Sequence, residues 1–199
     1  DSDVVPDKKW LINLYNSMIK NKSHLSGGLL VEKYLKNNRY NYWRTIHIMH
    51  RFKERIIPNV QTFITGSNML LNKDAWAKIG GYDEQFRTNG EDVHFCIKLK
   101  LNEYKISYDS EAYCYHLQND NLQSLLNRSW RYYISGTGLK KPTYKRMILR
   151  SIKHSKHCLI NFTKDLINLR FSILDINFRV LFNYIKMEYK SCKDKEIKF

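Results

Sequence analysis

The chain has 199 residues, 43% of them apolar and 14% aromatic, which excludes wholesale disorder and gives room for one ordinary domain, alone or with a helical tail. Thirty-four Lys and Arg against nineteen Asp and Glu leave a net charge of +15, which directs attention to phosphates, anionic lipid or nucleic acid as partners. That charge is uneven: residues from Lys140 onward hold +10 and the first 139 only +5, so the acidic residues concentrate in the front of the chain. The cysteines Cys96, Cys114, Cys158 and Cys192 form no C-x-x-C pair and no metal-ligand spacing, which fits a reducing compartment. No run of 18 apolar residues is present to span a membrane, and no signal peptide is visible. The first residue is Asp1, already inside a motif-like triplet, so the natural protein is expected to begin upstream.

Pro6 stands at the head of a helix expected over Asp7 to Lys20, where proline is tolerated. Ser23 to Gly28 reads as a loop, followed by helices over Leu29 to Lys36 and Tyr42 to Arg55, closed by Pro58. The period then changes. Thr62 to Thr65 and Asn68 to Leu71 read as short strands broken by Gly66, and Lys73 to Ile79 as a short helix ended by Gly80-Gly81. Val93 to Leu101 is expected to be a helix burying Val93, Cys96, Ile97 and Lys100-Leu101. Two strands, Tyr104 to Tyr108 and Ala112 to His116, are expected on either side of a turn at Asp109-Ser110. Beyond His116 the pattern is helical: Leu122 to Ile134, Tyr144 to Ile160, and Phe162 to Tyr189 with a break. The mixture argues an α/β fold followed by a mostly α-helical region.

Three short constellations can carry chemistry. Asp1-Ser2-Asp3 puts two carboxylates two residues apart, able to address one hard cation or, more simply, to form a solvated turn or cap the following helix. Asn89-Gly90-Glu91-Asp92 puts two carboxylates at a helix start, where the helix dipole favours their ionised form; they serve either as caps or as a general base. His116 ends a strand and is either structural or, as a neutral imidazole, a partner of carboxylates around a divalent ion.

Taken in order, Asp1-Ser2-Asp3, Thr65-Gly66-Ser67-Asn68-Met69, Lys73, Ile79-Gly80-Gly81-Tyr82-Asp83-Glu84-Gln85-Phe86, Gly90-Glu91-Asp92 and His116 resemble the second half of an inverting family 2 glycosyltransferase of the GT-A fold. The resemblance covers about Asp1 to Asp120, leaving residues 121–199 as a basic helical extension. It implies a partial GT-A fold, a mixed sheet with flanking helices. It also implies transfer of a sugar, with inversion, from a nucleotide-sugar donor to the hydroxyl of a sugar, lipid-linked or protein acceptor in polysaccharide or glycoconjugate synthesis. Asp3 would bind a Mn²⁺ or Mg²⁺ bridging the donor diphosphate, His116 would complete the metal shell, and Asp1 would contact the ribose or a metal-bound water. Asp92 would deprotonate the acceptor hydroxyl, with Glu91 orienting acceptor or base. The β-α-β half that holds the nucleotide in such enzymes precedes the D-x-D and is absent from this sequence. The 199 residues alone are therefore expected to bind and transfer poorly.

The tail allows further readings. Arg128, Trp130 and Arg131 either reach a diphosphate or acceptor or, more simply, form exposed helix surface. The stretch from Phe171 to Met187, apolar and flanked by Arg170, Arg179, Lys186 and Lys190, either lies on an anionic bilayer or packs on protein, including a second copy. The alternative to an enzyme is a non-catalytic basic module for a membrane surface or nucleic acid. Without an RNA- or DNA-binding signature, no nucleic-acid partner is expected. The expected place is the cytoplasm, free or on the inner face of the membrane.

Overall fold

The computed structural model describes residues 2–35, 37–48, 64–86, 89–136 and 142–195. It divides into two compact units, one built from Asp1–Lys33 with Phe52–Gln118, the other from Tyr34–Arg51 with Asn119–Phe199.

The first unit holds a four-stranded mixed sheet in the order β1-β4-β2-β3, from β1 (Val4–Pro6), β2 (Leu25–Glu32), β3 (Met69–Leu71) and β4 (Ile106–His116). The central pair β2 and β4 is parallel, and β1 and β3 run antiparallel to their neighbours. Along this pair side chains alternate between faces. Ser107 meets Ser17 of helix α1 (Trp10–Asn21), while Leu25, Ile106 and Tyr108 join the core beneath α3 (Lys73–Ile79) and α4 (Glu91–Leu101). Helices thus cover both faces. That core is closed by Ile64, Ala75, Phe95, Cys96 and Leu99, with Trp76, Tyr82 and Phe95 packed ring against ring. This is the mixed sheet with flanking helices expected of a partial GT-A fold.

Several expectations are corrected. Pro6 ends β1, paired with Cys114, and the first helix begins only at Trp10. In the segment expected as loop and helix over 23–36, Leu25–Glu32 forms β2 instead. Gly27 and Gly28 are strand residues because nothing larger fits: a Cβ on Gly28 would lie 1.7 Å from the Ala112 carbonyl oxygen, and one on Gly27 2.2 Å from Ile64. Asp109-Ser110 does not end a strand. β4 runs on through an irregularity, where Gly28 opposes Asp109 but Leu30 opposes Cys114. In α4 the buried residues are Phe95, Cys96 and Leu99, while Ile97 and Leu101 face solvent. The short helix over Lys73 to Ile79 forms with the expected bounds, capped by the Asn72 side chain and ended by Gly80 at φ +78°. The Thr62–Thr65 strand and the end of the Tyr42–Arg55 helix, with Pro58, lie partly or wholly outside the described residues; Ile64 and Thr65 themselves are not strand.

The second unit is helical: α2 (Arg39–His47), α5 (Leu122–Gly136), α6 (Tyr144–Ile167) and α7 (Leu174–Asp194), with a single 3₁₀ turn at Phe171–Ile173. Its core gathers Trp43, Leu125, Ile173, Ile176 and Val180. Trp130, read above as surface, is buried.

Candidate active site

Asn68 organises the middle of the sheet. Fully buried, it donates to the carbonyls of Leu29 (2.8 Å) and Ala112 (3.1 Å), and its oxygen accepts from Trp10 Nε1 (2.7 Å). One side chain therefore ties α1, β2 and β4 together at the point where the β4 register shifts.

Beyond that clamp, β2 and β4 end side by side with Glu32 opposite His116. His116 Nδ1 lies 2.8 Å from Glu32 Oε1, and its Nε2 3.3 Å from Asp3 Oδ2. The Asp3 carbonyl also accepts from Leu117 N–H at 2.7 Å, holding Asp3 against the end of β4. Glu32 is buried and Asp3 is 38% exposed, so the histidine bridges interior and rim. A carboxylate only accepts, so Glu32 fixes the Nδ1–H tautomer and leaves Nε2 aimed at Asp3. A lone pair facing a carboxylate oxygen requires a positive centre between them, either a proton on Nε2 or a cation. Adjacent ligands of a small octahedral ion lie about 3 Å apart, so the separation of Asp3 and His116 would allow both to hold one. Glu32 addresses the other ring nitrogen and cannot share that ion. Among the described residues, accordingly, no three His, Cys, Asp or Glu side chains are grouped to hold a metal. Asp1 lies outside the described residues.

The second cluster is at the start of α4. Gly90, at φ +96°, turns the chain into the helix in a conformation that glycine adopts without strain. Glu91 and Asp92 occupy the first turn, where the helix dipole stabilises negative charge. Asp92 Oδ2 accepts from Gly66 N–H at 3.1 Å and Oδ1 from Val93 N–H at 2.7 Å. Burial first, then the charges of Asp92 and Glu91, push the nearby Tyr82 phenol up to about 12. Burial likewise raises the Cys96 thiol to about 11, so it is a core residue and no nucleophile.

The Asp92 cluster meets the sheet through Gly66, just ahead of β3. Gly27 pairs with Met69 and Gly28 N–H reaches Asn68 O, so Gly66 lies further along, towards the C-terminal end of β2 where Glu32 sits. In open α/β sheets this is the ligand-binding end. Glu32 falls within the 29–36 segment whose sequence predicts a helix, so its place in the site is hidden. The signal that could have found it is the apolar run Leu29 to Val31 behind two glycines, the mark of a strand buried on both faces.

A family model described as "Glycosyl transferase family group 2" matches residues 1–187. The chain belongs to this family. No curated protein matches it. Family 2 membership makes it an enzyme of the transferase kind, with a glycosyl-transfer role, a nucleotide-sugar donor and an acceptor. Among the described residues of this glycosyltransferase, no helix is long and apolar enough to cross a membrane.

Proposed function

We propose that the chain carries the acceptor and diphosphate side of an inverting, divalent-metal-dependent glycosyl transfer. The observation that carries the reading is the meeting of Asp3 and His116 at 3.3 Å, two residues 113 positions apart. Asp3 and His116 are the candidate ligands of Mn²⁺ or Mg²⁺, and the family resemblance gives Asp1 a contact to the ribose or a metal-bound water. The ion, when bound, offsets charge developing on the leaving nucleoside diphosphate. Glu32 holds the imidazole so that Nε2, not Nδ1, faces that ion.

Asp92 is the candidate base. Its position at the start of α4 and the Gly66 N–H favour the carboxylate, and each oxygen keeps a lone pair beyond the bond it already accepts. The acceptor hydroxyl gives its proton to Asp92 as its oxygen bonds to the anomeric carbon, and the bond from that carbon to the diphosphate oxygen breaks on the opposite side. One displacement inverts the centre. Glu91 orients the acceptor or the base from the same helical turn.

Asp92→Asn should lower transfer by roughly two to four orders of magnitude while metal and donor affinity stay within about threefold. Single-turnover assays with parallel calorimetry measure both, and normal turnover would move the base elsewhere.

A further inference from the structure

We propose that the outer face formed by α6 and α7 docks on an anionic lipid bilayer surface, lying flat in the interface. The two helices pair antiparallel: Phe162 stacks near Phe178 with ring centroids 5.2 Å apart, and Arg150 reaches Glu188 at 3.1 Å, so numbers rise along one helix as they fall along the other. Their buried sides are filled by Cys158, Asn161 and Asp165 on α6 and by Ile176, Val180 and Glu188 on α7. The opposite side of α6 would be polar in an ordinary surface helix. Here it carries Ile148, Ile152, Leu159 and Leu166, spaced in sevens and fours, and Ile152 is 64% exposed.

The antiparallel pairing puts this row beside a second one on α7. Phe178, Phe182 and Tyr189 follow the same helical spacing, with Phe182 67% exposed and level with Leu159, and Tyr189 level with Ile148 and Ile152. Two exposed apolar rows side by side make a plane. From Ile148 to Leu166 it runs about 27 Å at 1.5 Å per residue. A contiguous apolar surface of that kind marks an interaction site.

The charges around the plane choose the occupant. Lys145, Lys153, Lys156 and Lys164 on α6 and Lys186, Lys190 and Lys193 on α7 are all exposed. Of the acidic residues of these helices, Asp165 and Glu188 are buried and engaged, Asp165 with His47 and Arg170, Glu188 with Arg150, and Asp194 is exposed at the far end of α7. Asp175 is tied to Arg39 and Arg179. An apolar plane rimmed by lysines, whose stems can lie along acyl chains while the ammonium groups reach phosphates, complements an anionic interface. A second copy laid on the same plane would set lysine rim against lysine rim. Neither helix can cross the bilayer, so the binding is interfacial.

The proposal is independent of the catalytic reading and is tested without donor or acceptor. The whole chain is sedimented with vesicles of phosphatidylglycerol and phosphatidylcholine, mixed or of phosphatidylcholine alone. Binding should need the anionic lipid and fall at least tenfold between low and high salt. Ile152→Ser with Phe182→Ser should weaken it at least tenfold, with circular dichroism and melting checked to confirm that the fold is kept. Phe182→Trp, at an exposed position, supplies a second readout, a blue shift of emission on adding anionic vesicles. Equal binding to neutral vesicles, no loss in the double serine variant, or no blue shift would overturn the proposal. So would a solution dimer that the serine variant dissolves and that excludes vesicles.

Discussion

In the helical unit three carboxylates are shut away. Asp120 lies 2.9 Å from Arg44, Asp165 2.9 Å from His47 and 2.9 Å from Asn177, and Glu188 accepts from Tyr133 (2.7 Å) and Arg150 (3.1 Å), all with side chains 2% exposed or less. In the sheet-bearing unit Asp3 and Asp92 stand at a rim, with only part of their accepting capacity used by the protein. Both units contain a histidine beside an aspartate, yet His47 is buried against Asp165 and pushed toward its neutral form, chiefly by desolvation. His116 has its buried carboxylate on one nitrogen and its open side on the other. The contrast teaches that residue type does not separate structural from functional pairs. What separates them is whether one side of the pair is left for something that is not protein.

The comparison breaks most sharply at Asp165. Asp165→Ala leaves His47, Arg170 and Asn177 around an empty place, and should cost about 3–5 kcal/mol in urea unfolding. The rim carboxylate Asp92, replaced by Asn as above, should leave the same midpoint nearly unmoved. A neutral result at Asp165 would mean that the helical unit's charge network is not what holds it.

Next in size is Gly28→Ala, where the added methyl meets the Ala112 backbone oxygen and not a side chain that can swing away. About 1–3 kcal/mol of stability should be lost, and with it the alignment of Glu32 with His116. Unfolding curves, together with the histidine resonances of His116, report the two effects separately.

The smallest effect is a pH dependence. Burial, then the positive neighbours His157, Lys153 and Arg150, lower His154 to about 4. Its neutral form is the one the fold keeps. The unfolded chain therefore binds the proton first, near the ordinary value of about 6.5, and stability present above that pH is lost as pH falls toward 4. Nε2 of His154 is also buried without a hydrogen-bond partner, and its ring packs against both Tyr133 and Tyr184. His154→Phe should flatten the acid slope and stabilise the protein at neutral pH by about 1 kcal/mol. An unchanged slope would assign the acid sensitivity to His47.

What was legible in the sequence was local or periodic. The helix over Lys73 to Ile79 carries its own cap and its own glycine stop, and Glu91-Asp92 announce a helix start behind Gly90. The segment over 23–36 was not legible, because two adjacent glycines ordinarily mean a turn. Here they mean a strand into which another backbone is pressed, a tertiary fact with no local signature. The site divided the same way. Asp3, Asp92 and His116 stand in motifs, whereas Glu32 acquires its meaning only from the strand opposite.

That pairing depends on a length as much as on identities. While β2 advances from Gly28 to Leu30, β4 advances from Asp109 to Cys114, three residues more. With the earlier register continued, Glu32 would face Tyr113; the odd number of extra residues also inverts which side of β4 looks up. The irregularity therefore acts as a phase shifter, turning a strand that presents serine to one helix layer into one that presents His116 to a buried carboxylate. Two residues inserted or removed there would preserve the strand's polarity pattern and still carry the histidine past its partner, so the excursion pinned by Asn68 is a ruler for the site.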